Sequence, residues 1–124
     1  MNVVDSSGWL EYFSNGPTAE YFSEPIEMSE ELIVPTISIF EVFKRVLQQK
    51  SETDALKAVA FMHLGQVVDL TDQLALRAAK ISFDLKIPLA DSVMLATAQD
   101  YGAVLWTQDA DFEGLDGVRY IHKS

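Results

Sequence analysis

The chain has 124 residues, a length that makes one domain of ordinary size, and 48% of them are apolar, which is enough to fill one core. Nineteen acidic residues against nine basic ones give a formal net charge of −10, which argues against broad binding of nucleic acid through a basic surface. Zero cysteines exclude disulfides and thiolate metal sites. We expect a single domain over residues 1–124, without a secretion signal or membrane span and therefore cytoplasmic, because the first residues show no basic segment followed by a long apolar run.

The first half of the chain alternates short apolar runs with helical patterns. A strand is predicted over residues 2–5, a helix from Ser6 or Ser7 to Asn15, and a second helix from Thr18 to near Pro25. Residues 32–34 form a buried strand bounded by Pro35. The helix predicted over residues 38–50 carries more apolar side chains than one core-facing stripe needs, so part of it is expected to face a partner.

The second half continues the alternation. Helices are predicted over residues 51–65, 71–86 and 90–101, and strands over residues 67–70, 103–106 and 118–121. Buried strands that alternate with helices predict an α/β fold with a largely parallel sheet of about five strands and helices on both faces.

Acidic side chains follow the ends of several predicted strands. Asp5 ends the first strand, Glu41 lies one turn into the helix after the second, Asp91 starts the helix before the fourth, and Asp109 and Asp111 follow the fourth. Ligand sites of parallel sheets lie beyond the carboxyl ends of the strands, so these segments are expected to converge on one crevice. Clustered carboxylates repel one another unless a cation lies among them, which predicts a site for a divalent metal.

Each of these residues also has a purely structural explanation. Glu41 can close a capping box with Ser38, Asp91 can interact with a helix dipole, and Ser7 can cap a helix. Asp5, Asp109 and Asp111 are acids of a kind that favours turns. Only their joint occurrence favours a functional site.

Four segments together resemble a known family. They are Val3-Val4-Asp5-Ser6-Ser7, Glu41 within an apolar helix, Leu89-Ala90-Asp91-Ser92, and Thr107-Gln108-Asp109-Ala110-Asp111-Phe112. In this order and spacing they resemble the PIN-domain ribonucleases, and among those the VapC toxins. The resemblance extends over nearly the whole chain and implies a PIN-like three-layer fold.

The resemblance also implies an activity and a set of site residues. It implies a Mg²⁺- or Mn²⁺-dependent endoribonuclease in which Asp5, Glu41, Asp91 and Asp109 form the acidic quartet. Asp5, Asp91, Asp109 and Asp111 are then expected to hold the metal, with Ser7 and Thr107 in supporting positions. Hydroxyls that hydrogen-bond a carboxylate fix its rotamer, which is the physical reason for such support.

Partners follow from the same resemblance. It implies a VapC-type toxin, usually a homodimer, neutralised by a VapB-like antitoxin whose tail occupies an apolar groove. The predicted groove residues are Trp9, Tyr12, Phe13, Phe40 and Phe43. Lys44 and Arg45 lie beside Glu41 and either contact phosphates of the RNA substrate or are solvated surface charges.

Other functions remain open on the sequence alone. A receiver-like phosphoacceptor module also gathers acids at strand ends, although its acceptor would have to be Asp69, after the third strand. A solitary PIN nuclease without an antitoxin is a further alternative, and a PIN-like scaffold without activity is a third.

Overall fold

Five parallel strands form one sheet in a computed structural model that describes residues 1–123. The strands are β1 (Asn2–Val4), β2 (Leu32–Pro35), β3 (Gln66–Val68), β4 (Val104–Thr107) and β5 (Val118–Tyr120), in the spatial order β3-β2-β1-β4-β5. In the centre of the sheet, Val3 of β1 pairs with Ile33 of β2 and with Leu105 of β4. The predicted parallel α/β architecture is confirmed.

Six helices connect these strands. They are α1 (Ser6–Ser14), α2 (Ala19–Glu27), α3 (Thr36–Gln49), α4 (Glu52–Met62), α5 (Asp72–Leu85) and α6 (Leu89–Asp100). Short 3₁₀ turns at Ser29–Glu31 and Ala110–Phe112 precede β2 and follow β4. Within residues 1–123, no helix has both the length and the apolar character that a membrane crossing requires.

Alternation along the strands builds a core on each face of the sheet. Val4, Val34 and Trp106 point into a cluster that α1, α2, α3 and α4 complete. Their neighbours Val3 and Ile33 point to the opposite face, where they pack against α6. Because the side-chain period of a strand is two, consecutive apolar residues serve both faces, and this produces the three-layer arrangement.

Several predicted boundaries differ from the structure. Pro25 lies inside α2 instead of ending it, and α3 begins at Thr36, directly after Pro35, instead of at Ser38. The third strand is shifted to Gln66–Val68. The predicted cap of the first helix was also wrong, because Asp5, and neither Ser6 nor Ser7, is the N-cap of α1.

The junction between β1 and α1 is tightly packed around Gly8. A methyl group at this position would come within 2.7 Å of side-chain atoms of Phe22 and Val4, both fully buried. The absence of a side chain at Gly8 therefore lets the first turn of α1 lie directly on the core, with Asp5 at the carboxyl end of β1.

Candidate metal centre

Asp5 is held rigidly at the carboxyl end of β1. Its side chain is 3% exposed, and its Oδ1 accepts hydrogen bonds from Ser7 Oγ at 2.7 Å and from the Gly8 backbone N–H at 3.0 Å. Its Oδ2 accepts a hydrogen bond from the buried hydroxyl of Thr107. Both carboxylate oxygens are thus oriented by neighbours, two of which are the predicted supporting residues Ser7 and Thr107.

The segment after β4 is folded by its own hydrogen bonds. The backbone N–H of Asp109 donates to Thr107 Oγ1 at 2.9 Å, and the N–H of Asp111 donates to Asp109 Oδ1 at 2.9 Å. Thr107 therefore links two strand ends, because its hydroxyl donates to Asp5 and accepts from Asp109.

Three carboxylates converge in front of this segment. One oxygen from each of Asp91, Asp109 and Asp111 lies within 4.8 Å of the others, with Asp111 exposed and the other two partly buried. Asp5, Glu41, Asp91 and Asp109 line a shared cleft of about 480 Å³. The four acids of the predicted quartet thus line one cleft. Asp111 lies close to Asp91 and Asp109 but does not line the cleft.

The ionisation of two of these acids reports the crowding. Burial, followed by the negative charges of Asp109 and Asp5, raises the pKa of Asp91 from 3.8 to about 7. Burial also raises the pKa of Asp5, although hydrogen bonds from Thr107, Ser7 and Gly8 act in the opposite direction. The fold therefore holds these carboxylates where their negative charge is unfavourable without a compensating cation.

The donor set fits a small divalent cation. Carboxylate oxygens are the hard ligands that Mg²⁺ and Mn²⁺ prefer. The two ion pairs within residues 1–123, Arg77 with Asp100 and Lys80 with Asp84, both lie outside the cluster, so no direct ion pair to Lys or Arg compensates its charge. Asp91, Asp109 and Asp111 would hold the ion, with Asp5 beside them.

Glu41 reaches the cleft from α3 and has a partner that was not predicted. Ser6 Oγ donates to Glu41 Oε1 at 2.6 Å, and Ser6 is 8% exposed. The alternative capping box does not form, because Ser38 lies within α3 and its buried hydroxyl has no hydrogen-bond partner. Consecutive residues at a helix start point in different directions, and here the hydroxyl of Ser7 faces Asp5 while that of Ser6 faces Glu41.

Basic residues border the acidic cleft on one side. Lys44 and Arg45 both line it and are exposed, and the Lys44 ammonium lies 5.9 Å from the centre of the Phe40 ring. The two predicted RNA-contacting residues are therefore accessible and adjacent to the acids.

The residues predicted to form an apolar groove separate into different environments. Trp9 is 1% exposed and belongs to the core, which corrects its predicted place at a partner-binding surface. Tyr12 and Phe13 are half-buried and pack against Phe61. Phe40, by contrast, is 60% exposed at the edge of the cleft, and Phe43 is half-buried.

The topology disfavours the receiver-like alternative. Asp69 follows β3, which is an edge strand of the sheet, and its side chain is exposed. It does not line the cleft between the ends of β1 and β4 where the other acids meet. A phosphoacceptor at Asp69 would therefore lack the acidic neighbours that the hypothesis requires.

A family model matches most of the chain, whereas a search of curated protein sequences finds no match. The family model described as "PIN domain" matches residues 3–118. No curated protein sequence gives a significant match.

Solved structures with the same fold include components of toxin–antitoxin complexes. A toxin–antitoxin complex from Klebsiella pneumoniae contains a chain that is 22% identical, with a TM-score of 0.80 and 96% of each chain covered. VapC20 of Mycobacterium tuberculosis, a sarcin–ricin loop cleaving toxin, is 14% identical with a TM-score of 0.77, covering 94% of this chain and 95% of VapC20. A DNA-bound VapBC from Salmonella typhimurium is 16% identical with a TM-score of 0.74, covering 98% and 96%.

Proposed function

The chain belongs to the PIN-domain family, and from that premise we propose that it is a Mg²⁺- or Mn²⁺-dependent endoribonuclease acting as the toxin of a type II toxin–antitoxin pair. One observation carries the proposal. Asp5, Glu41, Asp91 and Asp109 come from four separate parts of the sequence and line one cleft. Carboxylates gathered in this way have a chemical use in metal-assisted hydrolysis of phosphodiesters.

The roles of the acids follow from their surroundings. Asp91, Asp109 and Asp111 would hold the cation, and the carboxylate of Asp5 would add negative charge in the same cleft. When bound there, Mg²⁺ or Mn²⁺ would supply Lewis-acid chemistry, which favours a nucleophilic water at neutral pH and offsets negative charge on the scissile phosphate. Ser7 and Thr107 hold Asp5 in one rotamer, so that its carboxylate keeps its position when the substrate binds.

Glu41 acts on the attacking water. Its Oε1 is held by Ser6, which leaves Oε2 to orient the water and accept its proton. The fixed carboxylate spares the reaction the cost of ordering a flexible side chain in the transition state.

The proposed partners are a VapB-like antitoxin and a second copy of this chain. Relatives of the same fold occur in toxin–antitoxin complexes, and Phe40 is exposed beside the acidic cleft, within reach of an apolar segment placed over it. For the homodimer we infer that α5 contributes, because Leu76 is 73% and Phe83 is 83% exposed on this helix. A nuclease without antitoxin is the alternative, and copurification of a small basic protein with the tagged chain, expressed from its natural locus, separates the two.

Cleavage of RNA tests the activity. The purified chain, freed of copurifying protein, is incubated with a panel of messenger, transfer and ribosomal RNA in Mn²⁺ or in chelator. Asp91→Asn is compared with Asp72→Asn, which changes a first-turn carboxylate of α5 outside the cleft. Removal of a metal ligand should reduce the cleavage activity by more than the roughly 10–100-fold loss that follows removal of a residue that only hydrogen-bonds a ligand.

The expected result is cleavage by wild type and Asp72→Asn in Mn²⁺ only, with Asp91→Asn inactive. Cleavage that survives in both chelator and Asp91→Asn would contradict the proposed metal-dependent mechanism. Calorimetry with Mn²⁺ alone on the same proteins reports ion binding independently of the RNA chosen.

A further inference from the structure

Two buried side chains hold the ends of segment 108–112, which carries Asp109 and Asp111. Gln108, just before these acids, is 4% exposed, and Phe112, just after them, is fully buried. The three residues between them are partly or largely exposed. The positions of the two carboxylates therefore depend on what holds Gln108 and Phe112.

The two ends of the segment contact opposite faces of the sheet. Phe112 packs in the apolar core beside α6, with Val3 and Leu105. Gln108 contacts the start of α2, which packs on the other face, and its Oε1 accepts a hydrogen bond from Thr18 Oγ1 at 2.7 Å. Apolar burial is enough to hold Phe112, whereas a buried amide has to be held by hydrogen bonds. The bond to Thr18 is therefore the directional contact of this segment.

Thr18 is itself placed by its surroundings. It occupies the N-cap position of α2, but its hydroxyl, instead of capping the helix, donates to Gln108, 90 positions away in the sequence. Its backbone N–H donates to Glu11 Oε2 at 3.2 Å. A side chain at Gly16 would clash with the Glu11 carboxylate, so the glycine leaves room for this contact. Thr18 thus offers Gln108 a partner in a fixed position.

A second contact aligns α2 with the end of β4. Tyr21, one turn after Thr18, packs against Trp106, with ring centres 5.1 Å apart. Trp106 and Gln108 are two positions apart, so both side chains point to the same side of the chain. Thr18 and Tyr21 likewise share one side of α2, because they are three positions apart. Two matched pairs thus join these elements, and the pair with Gln108 lies next to Asp109.

We propose that Thr18 and Gln108 are positioning residues, which hold segment 108–112 where its two carboxylates can bind a divalent cation. The inference rests on the proposed metal-dependent nuclease, because it concerns how the ligands of that site are kept in place. Gln108 acts through the backbone, since it is bonded directly to Asp109, whose N–H donates to Thr107 Oγ1 at 2.9 Å. A segment that is ordered before the ion binds loses less conformational entropy on binding, which strengthens the affinity.

A purely structural role is the alternative. In that case the hydrogen bond only secures α2 on the sheet, and its loss lowers the free energy of unfolding without changing metal binding. Thr18→Val removes the hydroxyl at nearly constant shape, and Thr18→Ser keeps it. The matched control is Thr97→Val, which removes an equally short bond of a fully buried threonine, from Thr97 Oγ1 to the Val93 carbonyl at 2.7 Å on α6.

Mn²⁺ binding in the absence of RNA tests the proposal. Calorimetry on the chain freed of copurifying protein should show that Thr18→Val binds Mn²⁺ about 5-fold more weakly than wild type. This fold-change corresponds to the roughly 1 kcal/mol that one neutral hydrogen bond contributes. Thr18→Ser should recover most of the affinity, and Thr97→Val should bind as wild type does. RNA cleavage by Thr18→Val should fall at limiting Mn²⁺ and approach that of wild type at saturating Mn²⁺.

The acceptor of the bond gives an independent test. Gln108→Leu should weaken Mn²⁺ binding to a similar extent as Thr18→Val. The double variant Thr18→Val/Gln108→Leu should bind Mn²⁺ no more weakly than either single variant, because both act through one hydrogen bond. Additive losses would show that the two residues act independently of their bond and would contradict the proposal.

Hydrogen exchange of two backbone amides reports the order of the segment without the metal. The N–H groups of Asp109 and Asp111 both donate within the loop that follows β4. In the metal-free protein they should exchange faster in Thr18→Val than in wild type, relative to the amide of Leu105. The Leu105 amide donates to the Gly117 carbonyl and is the internal reference, because a general loss of stability would change its rate equally.

Unchanged Mn²⁺ affinity in Thr18→Val, or equal losses in Thr18→Val and Thr97→Val, would overturn the proposal. If wild type binds Mn²⁺ and cleaves RNA while the affinity does not depend on Thr18, the nuclease proposal stands and the positioning role is wrong. If wild type binds no Mn²⁺ but the amides of Asp109 and Asp111 exchange faster in Thr18→Val, the bond orders the segment and the metal-dependent nuclease is wrong. Absence of both effects would contradict both proposals.

Discussion

At the scale of single residues, the ionisation of Asp91 connects stability with metal binding. Its pKa is about 7 in the folded, metal-free protein, against 3.8 for the unfolded chain, because of burial and the neighbouring charges of Asp109 and Asp5. Between these values the folded state binds more protons than the unfolded state, so the free energy of unfolding falls as the pH rises from about 4 to 7.

We therefore predict that Asp91→Asn stabilises the metal-free protein at pH 8 by about 1–2 kcal/mol, a value reduced for the partial solvent exposure of the side chain. Urea unfolding in chelator at pH 5 and pH 8 measures this effect, and Asp72→Asn should keep the pH dependence of wild type. Mn²⁺ should stabilise wild type at pH 8 but not Asp91→Asn. Equal stability of Asp91→Asn and wild type at pH 8 in chelator would show that the ionised carboxylate of Asp91 does not lower the free energy of unfolding.

At the scale of elements, the acidic cleft is assembled by contacts between helices and strand ends. Ser6 of α1 donates to Glu41 of α3, two residues that are 35 positions apart in the sequence. We predict that Ser6→Ala lowers kcat for RNA cleavage roughly 10-fold, because a hydrogen bond to a charged group contributes about 1.5 kcal/mol or more. KM should change little, since Ser6 orients Glu41 and has no direct contact with the substrate in the proposed mechanism.

Two further variants give this prediction its controls. Ser6→Thr keeps the hydroxyl and should recover part of the lost kcat, while Ser14→Ala, on the exposed end of α1, should behave as wild type. A loss of kcat in Ser14→Ala equal to that in Ser6→Ala would indicate a general effect on α1.

The elements also show which structural features the sequence allows one to predict. The apolar runs of β1, β2 and β4 and the helix starts predicted at residues 51 and 71 depend on local patterns. The structure contains them, with Ser51 and Thr71 as the N-caps. The interior position of Pro25 and the start of α3 at Thr36 depend on packing around buried side chains, which local propensity does not describe. The Ser6–Glu41 bond could not be predicted for the same reason, since it requires the relative placement of two helices.

At the scale of the whole molecule, the convergence of acids could be predicted because a parallel sheet places its strand ends at one edge. The sequence could not show that Trp9 belongs to the core, because an amphipathic pattern does not say whether the core or a partner protein covers the apolar face of the helix. Nor did the net charge of −10 show that Arg45, Lys50, Lys57 and Lys123 line one cavity, because a sum over the chain does not say where the cations lie.

The exposed apolar residues of α5 bear on the assembly of the protein. Leu76 and Phe83 are seven positions apart, which is two helical turns, so they share one face of α5. The opposite side of α5 packs against α6 through Leu74, Ala78 and Val93, and this contact holds the exposed face in place. A fixed apolar face of this kind stabilises a protein–protein contact when a second copy covers it.

We predict that wild type sediments as a dimer at micromolar concentration and that Leu76→Gln/Phe83→Gln sediments as a monomer with an unchanged circular dichroism spectrum. The matched control is Leu56→Gln/Leu64→Gln, which removes two comparably exposed leucines at α4 and just after its end. Because the control lowers surface apolarity by a similar amount without touching α5, it should remain a dimer. Dissociation of the control alone would place the interface on α4, and a monomeric wild type would mean that the exposed face of α5 does not serve self-association.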